Sequence, residues 1–374
     1  MRPLVSLVDV VGKAGMISDG DWVESKDQDP DGEVRLVQLA DIGVGIFLDK
    51  SKRFMTADKA RVLKCTYLRK ADILIARMPD PLGRACQFPG DKRTCVTVVD
   101  VCVLRPDENI ADASYVTHIL NSDGVRRQLE KFIKGTTRQR ISRTNLEQIF
   151  IPLPPLPEQR RIAAILDQAD ALRAKRRDSL AQLESLKQSI FLDMFGDPAT
   201  NPKAWNKSTF DCFFSDVTSS CEKLENSNYQ EKGEFPVIDQ GQRRIAGFCD
   251  NRKILCPVEL PVTVFGDHTR IIKHIDFPFV VGADGAKVLK ASQGINPLFA
   301  SELLRLLPIP NLGYSRHMKE VRRLVFIVPP KALQDVFEIQ IRSVERTEQT
   351  TLQSLYNLDA LFSSLQYRAF RGEL

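Results

Sequence analysis

The strongest constraint on the fold is a pattern that the chain uses twice: an apolar strand end, a proline corner and a long run of helical periodicity. The first copy spans Ile149 to Pro198 and opens IFIPLPPLPEQ. Pro152, Pro154, Pro155 and Pro157 forbid a helix through the corner. From Glu158 the sequence reads as one helix. Its apolar residues recur at alternating steps of three and four, at Ile162, Ile165, Ala169, Leu172, Leu183, Leu186 and Ile190. That is a heptad seam, interrupted where Arg176 and Ser179 fall on seam positions. Asp197-Pro198 ends it. A helix from Glu158 to Phe195 would be roughly 57 Å long, suited to a spacer.

The second copy begins VFIVPPKALQ near the C-terminus. With Pro154-Pro155 laid on Pro329-Pro330, the two stretches match without a gap. Gln159 falls on Gln334, Leu183 on Leu358, Leu186 on Leu361 and Phe195 on Phe370. The polar break repeats too, with Thr351 and Ser354 at the positions of Arg176 and Ser179. A shared break at one level is natural if the two helices lie against each other. The chain therefore reads as a tandem duplication, each half a variable globular unit followed by a long helix. The expected division is a first globular domain over 1–155, a helix over 156–198, a second domain over 199–330 and a helix over 331–374.

Each globular half offers short strands first and one or two helices last, with no regular βαβ alternation, which indicates an α+β fold. In the first half, 34–39 alternates as a strand, 56–63 reads as a short helix, and 73–76 is a buried strand ending on Arg77. A single buried strand is expected over 97–104, and helices over 113–121 and 124–134. In the second, 262–267 runs as a strand into a glycine turn, 277–281 and 287–289 are further strands, and 299–307 is a helix matching 113–121.

Length allows two globular domains. No apolar run is long enough to span a bilayer and the start does not read as a signal peptide, so a cytoplasmic protein is expected. Of the eight cysteines, Cys65, Cys86, Cys95, Cys102, Cys212, Cys221, Cys249 and Cys256, none sits in a C-x-x-C pair, and only four histidines could join them. A zinc site is not expected, and buried free thiols are. No phosphate-gripping loop, methyl-donor signature or recognisable nucleophile–base spacing is present. The expectation is a reader without cofactor or catalytic residues.

The net charge of +5 is mild, and its placement matters more than its size. Arg126, Arg127, Lys131, Lys134, Arg138, Arg140 and Arg143 face a single acid, Glu130, over 126–143. Before the second helix, Arg316, His317, Lys319, Arg322 and Arg323 stand against Glu320. Two basic segments at equivalent points of a duplicated chain suggest two phosphate-facing surfaces.

The run from Ile151 to Leu166, with its proline corner and PEQ start, resembles the central repeat of type I restriction–modification specificity subunits. Phe235-Pro236-Val237-Ile238-Asp239-Gln240-Gly241-Gln242 is similar to another part of that family. The ending from Leu358 to Leu374 resembles its distal repeat. The resemblance covers the whole chain. It implies two target-recognition domains related by a pseudo-two-fold axis and joined by two long helices in an antiparallel coiled coil. It implies that each domain reads one half of a split double-stranded DNA target while the helices fix the gap. It also implies two methyltransferase subunits and motor-nuclease subunits as partners, with no chemistry in this chain. A homologous reader in another phage-defence or fused restriction–methylation system is the alternative.

Arginine favours guanine edges and glutamine favours adenine. The base-reading candidates are thus Arg77, Arg84, Lys92 and Arg93 in the first domain, and Gln240, Gln242, Arg243, Arg244, His268 and Arg270 in the second. Phosphate contacts, which fix register, are expected from Lys134, Arg138, Arg140 and Arg143, and from Arg316, His317 and Lys319. A basic patch at Arg173, Lys175, Arg176 and Arg177 reads by default as a solvated helix face, with a surface facing the spacer DNA or an acidic partner as the alternatives.

Overall fold

The structure, a computed structural model, describes residues 3–79, 81–132 and 139–374. The chain divides into two compact units, 1–177 with 353–374, and 178–352. Two long helices, Leu156–Phe195 and Lys331–Arg371, run 40 and 41 residues. Each unit therefore holds a β-rich head, one half of one long helix and the opposite half of the other.

In the first unit, an antiparallel sheet orders Met16–Asp19, Val101–Arg105, Ile73–Ala76 and Ala85–Gln87. A second sheet orders Arg53–Met55, Val34–Val37 and Thr94–Thr97, its last pair parallel. Leu4–Ser6 pairs with Phe150–Pro152, the strand that enters the proline corner. One core joins Tyr115 and Ile119 of the helix Ala113–Leu120 to Ile162 and Leu166 of the first long helix and Ala369 of the second.

The second unit repeats the plan. Asn206–Thr209 pairs with Val325–Val328, again the strand before a proline corner. One four-stranded sheet orders Phe214–Asp216, Ala286–Ala291, Val262–Gly266 and Ile272–Ile275. The other orders Lys223–Leu224, Val280–Gly282, Phe235–Ile238 and Gly247–Cys249. Its core is aromatic. Phe191 and Phe195 of the first long helix pack on Phe337 of the second at 5.5 and 5.4 Å between ring centroids, and Phe195 lies 4.8 Å from Phe299 of the helix Pro297–Leu306.

The repeat extends to single atoms. Gln159, 1% exposed, accepts the backbone N–H of Asp112 at 2.9 Å and donates to the Pro154 carbonyl at 2.8 Å. Gln334, fully buried, accepts the N–H of Asn296 at 2.8 Å and donates to the Pro329 carbonyl at 2.7 Å. Asp112 and Asn296 are the N-caps of the helices Ala113–Leu120 and Pro297–Leu306. A glutamine thus ties each proline corner to the start of the helix beneath it, satisfying buried backbone groups that would otherwise be costly.

Within each unit the long helices run antiparallel. In the first, Arg161 donates to the Leu374 carbonyl at 2.8 Å, Arg173 to Asp359 at 2.6 Å and Arg176 to Ser354 at 3.1 Å. In the second, Lys187 donates to Glu348 at 2.5 Å. The basic patch is therefore not simply solvated: Arg173 also lies over the Phe362 ring at 4.3 Å.

Several expectations need correction. The first long helix begins at Leu156, inside the corner, because a proline in the first turn lacks only an N–H that no helical carbonyl would accept. The seam is buried at its start, at Ile162 and Ala169, whereas Leu172 and Leu186 further along are 50% and 44% exposed. The run 97–104 is two strands, Thr94–Thr97 and Val101–Arg105, belonging to different sheets. Cys221 and Cys256 are not free but disulfide-linked, with Cα atoms 4.7 Å apart. Strand pairing brings them together, since Lys223–Leu224 pairs with Val280–Gly282 and the Cys256 N–H donates to Phe279 beside it. Burial pushes the thiols of Cys86, Cys95 and Cys102 up to about 12, so these stay unreactive. Among the described residues no helix is long and apolar enough to cross a membrane.

Candidate nucleic-acid interface

The first unit separates its basic candidates into buried and exposed groups. Arg77 is 7% exposed; its Nε donates to the Ile141 carbonyl at 2.9 Å and its guanidinium pairs with Asp19. Arg84 spends its donors on the carbonyls of Ile42 at 2.7 Å, Leu39 at 3.1 Å, Met78 at 3.1 Å and Pro81 at 3.2 Å. Both lock loops to sheet edges, and reading a base would mean giving up those bonds. Arg140 pairs with Asp100 at 3.2 Å and Arg143 with Glu147 at 3.2 Å, each partly exposed. Lys134 and Arg138 lie outside the described residues.

Lys92 and Arg93 are exposed, and Arg93 lies over the Phe54 ring at 4.7 Å. Phe54 belongs to the strand Arg53–Met55, which brings in a basic loop that the sequence did not single out: Lys50, Lys52 and Arg53, all exposed. Buried chemistry fixes both loops. Arg35, 8% exposed, pairs with Asp91 at 2.8 Å before one loop and with Asp49 before the other. The buried Asp41 carboxylate accepts the backbone N–H groups of Lys50 at 2.7 Å and Ser51 at 2.6 Å. The pattern was invisible in sequence because the loops are distant there and meet only through the sheet.

In the second unit, Gln240 also turns inward. Its amide donates to the Asp284 carbonyl at 3.0 Å and accepts the His268 N–H at 3.2 Å. His317 is fully buried, so no phosphate reaches it; its Nδ1 lies 2.8 Å from the Asp267 carbonyl. Arg270 donates to the Ile309 carbonyl at 3.2 Å. Gln242, Arg243, Arg316 and Lys319 are exposed. Arg244 is exposed too, 3.8 Å from Asp276 and over the Phe277 ring at 5.5 Å. The fold thus gathers Gln240, His268, Arg270, Arg316 and His317 around two neighbouring loops. It also adds Tyr314, 88% exposed, whose ring stacks on His268.

The first unit also carries a cleft of about 1000 Å³ lined by Val44, Ile46, Phe150 and Tyr367, with Arg126 and Arg371 at its walls. No group of metal-ligating side chains occurs among the described residues.

Two β-rich units with two long helices packed together define a mixed α+β architecture made for holding loops in place. Residues 37–185 match the family model of the type I restriction modification DNA specificity domain. The chain is 26% identical over 330 residues to a Methanocaldococcus jannaschii protein described as the MjaX type I restriction enzyme specificity subunit, covering 74% of this chain and 75% of that one. It is 26% identical over 171 residues to the StySPI specificity subunit of Salmonella potsdam, covering 44% and 37%. Its fold matches the crystal structure of a type I S subunit from M. genitalium with a TM-score of 0.61 at 15% identity, over 99% and 96% of the two chains. It also matches a chain from a structure describing complex assembly of the type I restriction–modification system, with a TM-score of 0.55 at 17% identity over the full length of both. By the family model over 37–185 and by its curated relatives, the chain is similar to the type I restriction–modification specificity subunits, and it shares their fold. That similarity supports the role of a DNA specificity subunit, a class in which methylation and cleavage reside in other subunits.

Proposed function

We propose that each β-rich head reads one half of a split duplex target and that the paired helices set the gap between the halves. The observation that carries this is the atomic repeat of Gln159 on Asp112 and Gln334 on Asn296, which gives both heads the same attachment to their helices. Two readers attached alike to one spacer make half-site separation a geometric property of the protein, as in dimeric readers. On this reading residues 1–155 and 199–330 are the recognition domains, and 156–198 and 331–374 are the spacer.

The partners are double-stranded DNA, two methyltransferase subunits and the motor-nuclease subunits, in the cytoplasm. The cleft of the first unit, which mixes apolar side chains such as Val44, Ile46 and Phe150 with arginines and acids, is the surface we assign to a methyltransferase subunit. The DNA contacts are Lys92, Arg93, Arg140 and Arg143 in the first domain, joined by Lys50, Lys52 and Arg53. In the second they are Gln242, Arg243, Arg244, Arg316 and Lys319. Replacing residues 1–155 with the first domain of another specificity subunit tests the modular reading. Methylated-base sequencing should then show one half-site exchanged and the other retained. A change in both halves contradicts it.

A further inference from the structure

The loop from Pro308 to His317 is built as a rigid arch. At its foot, the His317 N–H and ring Nδ1 both lie 2.8 Å from the Asp267 carbonyl. The ring's Nε2 accepts the Leu312 N–H at 3.1 Å, so a ring carrying its hydrogen on Nδ1 satisfies both ends at once. The Asp267 carboxylate, 3% exposed, accepts the Met318 N–H at 2.7 Å. These buried bonds bind the arch to the neighbouring loop at 266–270.

At the top of the arch stands Tyr314, 88% exposed. One face of its ring is covered by His268, with centroids 5.1 Å apart and planes 17° apart. His268 is itself held by Gln240. The other face is open. Arg316 and Lys319, two and five residues further along the chain, are exposed, and Glu320, pinned by Arg323 at 2.8 Å, is the nearest acid in sequence. An open aromatic face with cations close to it in sequence suits a polyanion that carries flat rings, and the arch has fixed the ring's position in advance of binding.

We propose that Tyr314 is the aromatic DNA contact of the second recognition domain, its open face packing against a base of that half-site at a step the protein distorts. This rests on the reading of the head as a DNA reader. Inserted apolar side chains exploit steps that unstack cheaply, so such a contact discriminates sequences as well as adding affinity. Nothing local marks Tyr314 in the sequence; only the fold places it on His268.

The test uses the full chain assembled with its methyltransferase subunits, and a duplex bearing the target found by methylated-base sequencing. Tyr314→Ala should weaken binding at fixed salt by about 10-fold or more, the range of one lost stacking contact. Tyr314→Phe should bind as the unaltered protein does. The salt dependence should be unchanged, because no phosphate contact is removed. On a duplex with the second half-site scrambled, Tyr314→Ala and the unaltered protein should bind equally. A Tyr314→Ala affinity within two-fold of the unaltered protein overturns the proposal while leaving the reading of the head intact. So does a Tyr314→Ala chain that no longer assembles with the methyltransferase, which would make the ring a protein contact. An unaltered complex that does not prefer its target over unrelated DNA removes the underlying reading instead.

Discussion

Arg176 Nε donates to Ser354 Oγ at 3.1 Å, so two seam positions that break the heptad pattern in each long helix meet one another across the pair. The polar break is thus a shared level in an otherwise apolar seam. Such a level costs stability and specifies alignment. Replacing both residues with leucine is expected to raise the melting temperature by a few degrees. A double-mutant cycle with alanine should give a coupling of about 0.5 kcal/mol or less, because Arg176 is exposed. A coupling several times larger would make the pair a stability element rather than an alignment element.

Gln159 and Gln334 should behave as equivalents. Alanine at either leaves a buried N–H and a proline-corner carbonyl without partners, costing about 2–3 kcal/mol. Hydrogen exchange should accelerate at the Asp112 amide in Gln159→Ala and at the Asn296 amide in Gln334→Ala. Unchanged protection at both would remove the role given to the two glutamines.

The loops pinned on Arg35 and Asp41 should carry non-specific DNA affinity in the first domain. Replacing Lys50, Lys52 and Arg53 together with alanine is expected to weaken binding to every sequence. If all three meet phosphates, the slope of log affinity against log salt should fall by about 2.7. An unchanged slope would exclude the loop from the interface.

His274, 9% exposed, sits between Ser301 Oγ at 3.1 Å from Nδ1 and the Arg342 guanidinium at 3.4 Å from Nε2. Burial, and next the Arg342 charge, pushes its pKa down to about 4. The neutral ring is favoured in the folded state. Its contribution is therefore complete above the ordinary histidine value of about 6.5 and is lost as pH falls toward 4. The second unit should lose roughly 3 kcal/mol over that window. Nuclear magnetic resonance should show this ring titrating near pH 4, and a midpoint near 6.5 would contradict the buried, neutral assignment.

The long-range plan is legible in the sequence because it depends on local periodicity and on a repeat that aligns without gaps. That alignment alone lays Gln159 on Gln334, and the structure gives the two glutamines matching bonds. The interface is less legible. Arg77, Arg84 and His317 sit in suggestive loops and strand ends, yet tertiary burial spends them on carbonyls and on Asp19. Lys50, Lys52 and Arg53 gain meaning only when the sheet brings their loop beside Arg93. Cys221 and Cys256 join for the same reason, through strands that no spacing rule reveals.

The central claim is that two reading heads share one spacer, and methylated-base sequencing of a host genome tests it most directly. The genome is sequenced with and without this chain, in the presence of its methyltransferase. The account predicts methylation that depends on this chain and falls on a two-part sequence with one fixed gap. A single uninterrupted motif, or two parts separated by a variable gap, would contradict it.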